Sequence, residues 1–459
     1  MHSTVIVGAG PAGMAAAVVL ARAGEHPIIV DEAEQPGGQV WRKPAAPLQP
    51  ALARILGRAA AAEHEQAHAE FASIAASVDH RPRHLAWNLQ GGELFVIEHR
   101  RIRPLRYGAL LLATGATDRL LPVPGWTLPG VFSLGGAQTL LKDQGALIGR
   151  RVVFAGASPL LYLAALQYKA MGATVVAVLD TTALPEKLRA TPALAAAAPR
   201  VLARGLSYMA RLRAGGVAIF HGVTALGIEG QDYAERVRFR CSRGAEHDLA
   251  VDAVALGFGL RAETQLLDLA GVPLAFDVDF RQWLPIVDGD GRAAPGLYAA
   301  GDGCTIGGAA AAAISGRLAA YAILADRGVA VPATEVAMLR ARLARLRAFQ
   351  RALSRAFAWP AHWLADARDD TVLCRCENVT VGVVRAAVAA PLGPREVNRA
   401  KALTRCGMGR CQARFCGLAT AELMAHALAA PVATMGRHRS QAPVKPIPLD
   451  ATLVDEDTP

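Results

Sequence analysis

The stretch STVIVGAGPAGMAAAVVLARAGEHPIIVDEA, residues 3–33, constrains the fold more than any other part of the chain. It reads as an apolar strand, a tight glycine turn, a helix and a second strand ending in Asp31. Gly8 and Gly10 let the backbone turn and approach a pyrophosphate, and Gly13 lets the helix pack closely on the sheet. The helix start around Pro11 and Ala12 offers unpaired N–H groups and the positive end of a dipole. Asp31 lies 23 residues after Gly8, with Glu32 beside it. An acid there accepts from a ribose 2′-hydroxyl and repels a 2′-phosphate. The segment predicts an adenine dinucleotide held by a parallel α/β sheet.

The same plan recurs in RRVVFAGASPLLYLAALQYKAMGATVVAVLD, residues 150–180, which ends in Asp180. Here Ser158 replaces the second glycine, and Pro159, which lacks an N–H, opens the helix. A side chain at 158 crowds the approach that glycine permits. Three readings stay open for this second unit: NAD(P), a different adenine nucleotide, or a unit kept for structure alone.

A chain of 459 residues, 53% hydrophobic, is too long for one core and suggests two to four domains. Its net charge of +10 does not imply nucleic acid, because the arginines are scattered and aromatics make up only 5%. The first strand begins at residue 4, so no signal peptide is expected, and apolar runs are interrupted too early for a membrane span. A cytoplasmic protein is expected. The basic stretch MLRARLARLRAFQRALSRAF, residues 338–357, reads as a helix with a solvated arginine face between domains. His64 and His68, four apart on an Ala-rich helical segment, read as part of a solvated face.

Five of the seven cysteines fall between residues 374 and 416. Cys374 and Cys376 form a Cys-x-Cys pair, and Cys406, Cys411 and Cys416 follow in TRCGMGRCQARFCG. Four thiolates suit either a [2Fe–2S] cluster or a structural zinc, whereas a reducing compartment disfavours disulfides. Gly407 and Gly409 would let bare backbone approach such a centre and aim N–H groups at its sulfurs. Spacing does not choose the second pair, since Cys406–Cys411 and Cys411–Cys416 are both Cys-x4-Cys. The nucleotide segments contain no redox-active pair; Cys241 and Cys304 stand alone.

Three further segments carry a resemblance. QPGGQVWR at 35–42, YGALLLATGA at 107–116 and GLYAAGDGCTIGGAAAAAISGRLAA at 296–320 resemble the two-dinucleotide-binding-domain flavoproteins. That resemblance implies FAD, with Gly38, Gln39, Thr114, Gly115, Gly301, Asp302 and Gly308 at the cofactor and Asp302 on its ribityl chain. The cysteine segment resembles the [2Fe–2S] domain similar to bacterioferritin-associated ferredoxin. It implies Cys374, Cys376, Cys411 and Cys416 as ligands, with Cys406 at a variable position and Ala413 where the pattern has glycine.

With LPVPGWTLPGVFSLGGAQTLLK at 121–142, GFGL at 257–260 and KPIPL at 445–449, nearly the whole chain resembles one group. This is the FAD/[2Fe–2S] subunit of heteromeric bacterial amino-acid and opine dehydrogenases, including octopine and nopaline oxidases, D-hydroxyproline dehydrogenase, dye-linked proline dehydrogenase and hydrogen cyanide synthase. The resemblance implies electron transfer here. A secondary amine, D-amino acid or opine would be oxidised on a partner FAD subunit of amino-acid-oxidase type, with or without a small additional subunit. No catalytic constellation is evident in this chain. The alternative is a self-contained NAD(P)H-dependent flavin/iron–sulfur reductase.

The expected architecture is α/β. An FAD domain spans 1–120 and 286–330, an inserted NAD(P)-like domain 121–285, an arginine-rich helical linker 331–367, a [2Fe–2S] domain 368–430 and an extended tail 431–459.

Overall fold

The computed structural model describes residues 3–44, 49, 52–242 and 244–454. A six-stranded sheet runs in the order Arg292–Ala294, Leu297–Ala299, Ala109–Leu112, Thr4–Val7, Ile28–Val30, Asp79–Arg81. All its pairings are parallel except that of the Arg292–Ala294 edge strand. The central strands TVIV and ALLL are buried at every residue, as apolar runs covered by helices on both faces must be. The helices Pro11–Arg22 and Ala309–Asp326 pack together against this sheet. By length and composition Ala309–Asp326 could cross a membrane, but 56% of it is buried inside the protein.

A second sheet, entirely parallel, runs Ala218–His221, Thr174–Asp180, Arg151–Gly156, Ala253–Gly257, Val131–Ser133. Its strands fall between residues 131 and 257, whereas the first sheet draws strands from both sides of that span. The two crossings between sheets, Ala116–Asp118 and Leu260–Ala262, pair with each other antiparallel. This ribbon carries the backbone from one sheet to the other beside Thr114 and Glu263.

Residues beyond 370 form a small module: a hairpin of Val372–Cys374 and Val379–Thr380, then helices Val381–Ala389, Val397–Thr404 and Gly417–Ala427. Its apolar core, with Leu373, Val384, Val397 and Met424, is continuous with that of the second sheet around Trp126 and Phe258. Trp126 Nε1 also donates to Val372 O at 2.6 Å. The helix Ala333–Ala356 buries Val336, Leu339, Leu343 and Phe349. Three of its exposed arginines are also anchored: Arg340 pairs with Asp290, and Arg351 and Arg355 with Asp279.

One expectation is overturned. His64 and His68 are only 4% and 8% exposed. Their Nε2 atoms meet the carbonyls of Arg42 (3.3 Å) and Trp41 (2.7 Å), so the helix Arg58–Ala72 turns them inward onto the 37–42 loop. Burial pushes both imidazoles below their ordinary pKa. Part of the preceding proline-rich segment lies outside the described residues.

The tail returns across the first sheet's domain. Val444 is buried and its N–H donates to Trp87 O, Lys445 pairs with Glu32, and Thr452–Leu453 adds a strand beside Arg101–Ile102. The last acidic residues lie outside the described residues.

Candidate flavin and metal sites

At the first glycine turn, a Cβ on Gly13 would fall 1.8 Å from Gly8 O, so only glycine permits this helix-to-strand contact. The first intrahelical bond there is Met14 N–H to Gly10 O, leaving the Ala12 and Gly13 N–H groups ahead of it for an anion. The 37–42 loop lies over the turn: Gly37 N–H donates to Ala9 O, and Gly38 sits against Gly10. Gln39 Oε1 accepts from Thr139 Oγ1 at 3.2 Å. Asp31 accepts from the N–H groups of Ala9 and Ala33, and burial raises its carboxyl pKa despite these bonds. Glu32 is exposed and paired with Lys445.

Asp302 is held by the turn that follows it. Its Oδ1 accepts from Gly307 N–H (2.9 Å) and Gly308 N–H (3.0 Å), and burial raises its pKa. Gly301 N–H donates to Ser315 Oγ, which fixes the turn on the helix Ala309–Asp326. Only one carboxylate oxygen is engaged this way, which leaves an oriented acceptor of the kind a polyol chain requires. The residues present therefore fit an FAD.

Thr114 leads outward from this site. Its Oγ1 donates to Glu263 O at 2.6 Å, and Glu263 N–H donates back to Gly115 O at 3.0 Å. The Glu263 side chain receives Arg414 bidentately, Nε–Oε2 at 2.6 Å and Nη2–Oε1 at 3.2 Å. Arg261 approaches the same carboxylate at 3.6 Å. Burial pushes Glu263 up, but Arg261 and Arg414 more than reverse it and hold its carboxyl below the usual range. Arg414 lies between Cys411 and Cys416, so one buried carboxylate links the flavin motif to the cysteine loop.

Where that loop meets the end of the strand Val372–Cys374, the Sγ atoms of Cys374, Cys406 and Cys416 lie within 4.8 Å of one another, all buried. Cys376 and Cys411, each partly exposed, form a second pair in hydrogen-bond contact, with Cys374 nearby. Cys374 receives hydrogen bonds from the Cys406 and Cys416 thiols and from the Gly407 and Glu377 N–H groups, which bring its pKa down to about 2. Its bond with Cys374 pushes Cys406 up to about 12, and Cys416 is likewise pushed well above the ordinary thiol range. Thiols this crowded cannot all ionise unaided, but a bound metal deprotonates its ligands outright. The donor set thus fits a thiolate-held metal centre. Cys406 also meets Thr420 Oγ1 at 3.3 Å.

The loop's backbone is specialised. A Cβ on Gly409 would lie 2.3 Å from Cys376 Cβ, so glycine alone allows the two turns of the site to close. Ala413, at the position where the resembling pattern has glycine, has φ +62°, the left-handed region glycine prefers. His438, from the tail, packs between Gly407 and Gly417, and burial drops its pKa to about 4. Glu263, Arg261, Arg414 and His438 do not stand out in the sequence. Their only signals are position, directly after GFGL and inside Cys411–Cys416, and these are hard to notice among 49 Lys and Arg.

In the second unit Asp180 is fully buried. Its Oδ2 accepts from Tyr162 Oη and Lys187 Nζ, and its Oδ1 from Thr182 N–H. The acid expected to face a ribose is thus already matched by a lysine. Ser158 is 3% exposed, and its Oγ accepts from Leu160 N–H.

A two-sheet core with a glycine turn, a carboxylate at the second turn and a thiol-rich module defines a class of flavin-dependent oxidoreductase. A family model described as pyridine nucleotide-disulphide oxidoreductase matches residues 2–316, and the chain belongs to that family. A second model, the sarcosine oxidase A3 domain, matches residues 370–455. Over 465 residues the chain is 36% identical to an opine oxidase subunit of Agrobacterium tumefaciens (strain Ach5), covering 98% of this chain and 90% of that one. It is 34% identical over 464 residues to hydrogen cyanide synthase subunit HcnB of Pseudomonas aeruginosa, covering 97% of each. The crystal structure of L-proline dehydrogenase from P. horikoshii shares the fold, with TM-score 0.73 and 19% identity over 98% of this chain and 78% of that one. The full-length relatives are subunits of heteromeric amine and amino-acid oxidoreductases, and the family fold implies FAD.

Proposed function

We propose that this chain is the FAD- and [2Fe–2S]-containing electron-transfer subunit of a heteromeric oxidoreductase. An FAD-containing catalytic subunit of amino-acid-oxidase type would oxidise a secondary amine, D-amino acid or opine and deliver the electrons here. The observation that carries this reading is the hydrogen-bonded chain Thr114–Glu263–Arg414, which joins the flavin motif to the cysteine loop. We assign FAD to the domain of residues 1–120 and 286–330, the metal centre to 368–430, and a cytoplasmic location, where thiols stay reduced.

In this reading Gly8, Gly10, Pro11, Ala12 and Gly13 hold the pyrophosphate, Asp31 and Glu32 face the adenosine, and Gly38 and Gln39 cover it. Thr114, Gly115, Gly301, Asp302 and Gly308 line the flavin end. Bound FAD accepts electrons in pairs and releases them singly, and a [2Fe–2S] centre takes them one at a time. Cys374, Cys376, Cys411 and Cys416 would hold the centre, with Cys406 a neighbour whose Sγ lies within 4.8 Å of those of Cys374 and Cys416. Arg261 sets positive charge beside Cys411 and Cys416, and the Gly407 and Glu377 N–H groups donate to Cys374. Both favour the anionic sulfurs a cluster requires.

The internal pairing of Asp180 with Lys187 runs against a self-contained NAD(P)H reductase. Single Cys→Ser variants test the ligand set by iron content and electron paramagnetic resonance (EPR). Loss of the cluster at 374, 376, 411 and 416 with retention at 406 supports it. Retention at 416 with loss at 406 overturns it.

A further inference from the structure

Resting on the [2Fe–2S] reading above, the geometry points to the recess over Cys376 and Cys411 as the docking face for a small acidic one-electron carrier protein. The recess is open, about 580 Å³, and lined by Thr127, Val372, Asn378 and Phe415 besides the two cysteines and two arginines. Cys376 and Cys411 are the partly exposed thiols of the group, whereas Cys374, Cys406 and Cys416 are 2%, 0% and 2% exposed. Any centre held here is therefore nearest to solvent through this pair.

The rim is cationic, and one of its two charges is held in place. Arg375 and Arg410 are both exposed, and among the described residues neither forms an ion pair with a carboxylate. The Arg375 guanidinium lies 4.6 Å from the Phe415 ring centroid and 5.8 Å from that of Trp126, so its charge is fixed over the recess. Nearby Arg405, by contrast, is matched by Glu377. Two unmatched cations, Arg375 fixed by its ring contacts and Arg410 exposed beside it, over the more accessible sulfurs suit a carrier whose carboxylates surround its own redox group. Within the same loop, the buried Arg414 pairs instead with Glu263, beside the flavin motif. Electrons entering from the flavin side would thus leave through Cys376 and Cys411. In the exit step the reduced cluster loses one electron and the oxidised carrier gains it. No bond forms or breaks and no proton moves.

The test uses the complex copurified with its partner chains and, as probe, an acidic plant-type [2Fe–2S] ferredoxin. Its affinity is measured by calorimetry at low and high salt for wild type, R375E/R410E and the remote charge-matched control R200E/R204E, with iron content and EPR recorded for each. The expected result is salt-sensitive binding that R375E/R410E weakens on the order of tenfold or more. The control and all EPR spectra should stay unchanged. Equal affinity in R375E/R410E, with iron present, overturns this proposal alone. So does protection of Arg375 and Arg410 from phenylglyoxal in the complex, which would assign the face to another chain of the complex. Absence of iron from wild type overturns the underlying reading, and this proposal with it.

Discussion

Arg414, inside the cysteine loop, forks onto Glu263, whose own carbonyl accepts the hydroxyl of Thr114. A buried ion pair thus sits where the domain of the flavin motif meets the cysteine module. Removing one partner of such a pair leaves an uncompensated charge and costs about 3–5 kcal/mol. Arg414→Met is therefore expected to lower the denaturation midpoint of the module and, with it, iron retention. Calorimetry and iron analysis check this.

The same pair sets a pH limit. The folded Glu263 carboxyl lies below its usual range, so its contribution is fully present above the unfolded value of about 4.3. It is lost as pH falls through the folded value. Glu263→Gln is expected to flatten this acid limb while lowering stability at neutral pH. An unchanged slope below about pH 4.3 would contradict the assignment.

Ala413 holds a left-handed conformation that costs a non-glycine residue about 1–2 kcal/mol. Glycine relieves that cost, and its greater freedom when unfolded offsets part of the relief. Ala413→Gly is expected to stabilise the module by about 0.5–1 kcal/mol, read as a higher midpoint in denaturant.

Lys187 matches the fully buried Asp180. Lys187→Met is expected to cost about 3–5 kcal/mol, and Asp180→Leu combined with it to recover most of that loss. NADH should leave the wild-type flavin unbleached in stopped-flow absorbance.

The legible part of this molecule was whatever local geometry dictates. The glycine turn at Gly8–Gly13 requires its residues whatever surrounds it, and the buried strands at 4–7 and 109–112 announce themselves as apolar runs. The two sheets emerge as the repeat suggests. Long-range pairing was not legible: Glu263 and Arg414 lie 151 residues apart and meet only once the ribbon and the cysteine loop are placed. The burial of His64 and His68 is hidden in the same way, because the loop that covers them precedes their helix and carries no periodic signal. At Ala413 the sequence shows a departure from glycine, and only the backbone angle shows its cost.

The presence of both centres in this chain is read from the iron, acid-labile sulfide and flavin content of anaerobically isolated protein, together with the EPR spectrum after reduction. The expected content is about two irons, about two sulfides and about one FAD per chain, with the signal of a reduced [2Fe–2S] centre. Zinc in place of iron, or a preparation without flavin, would contradict it.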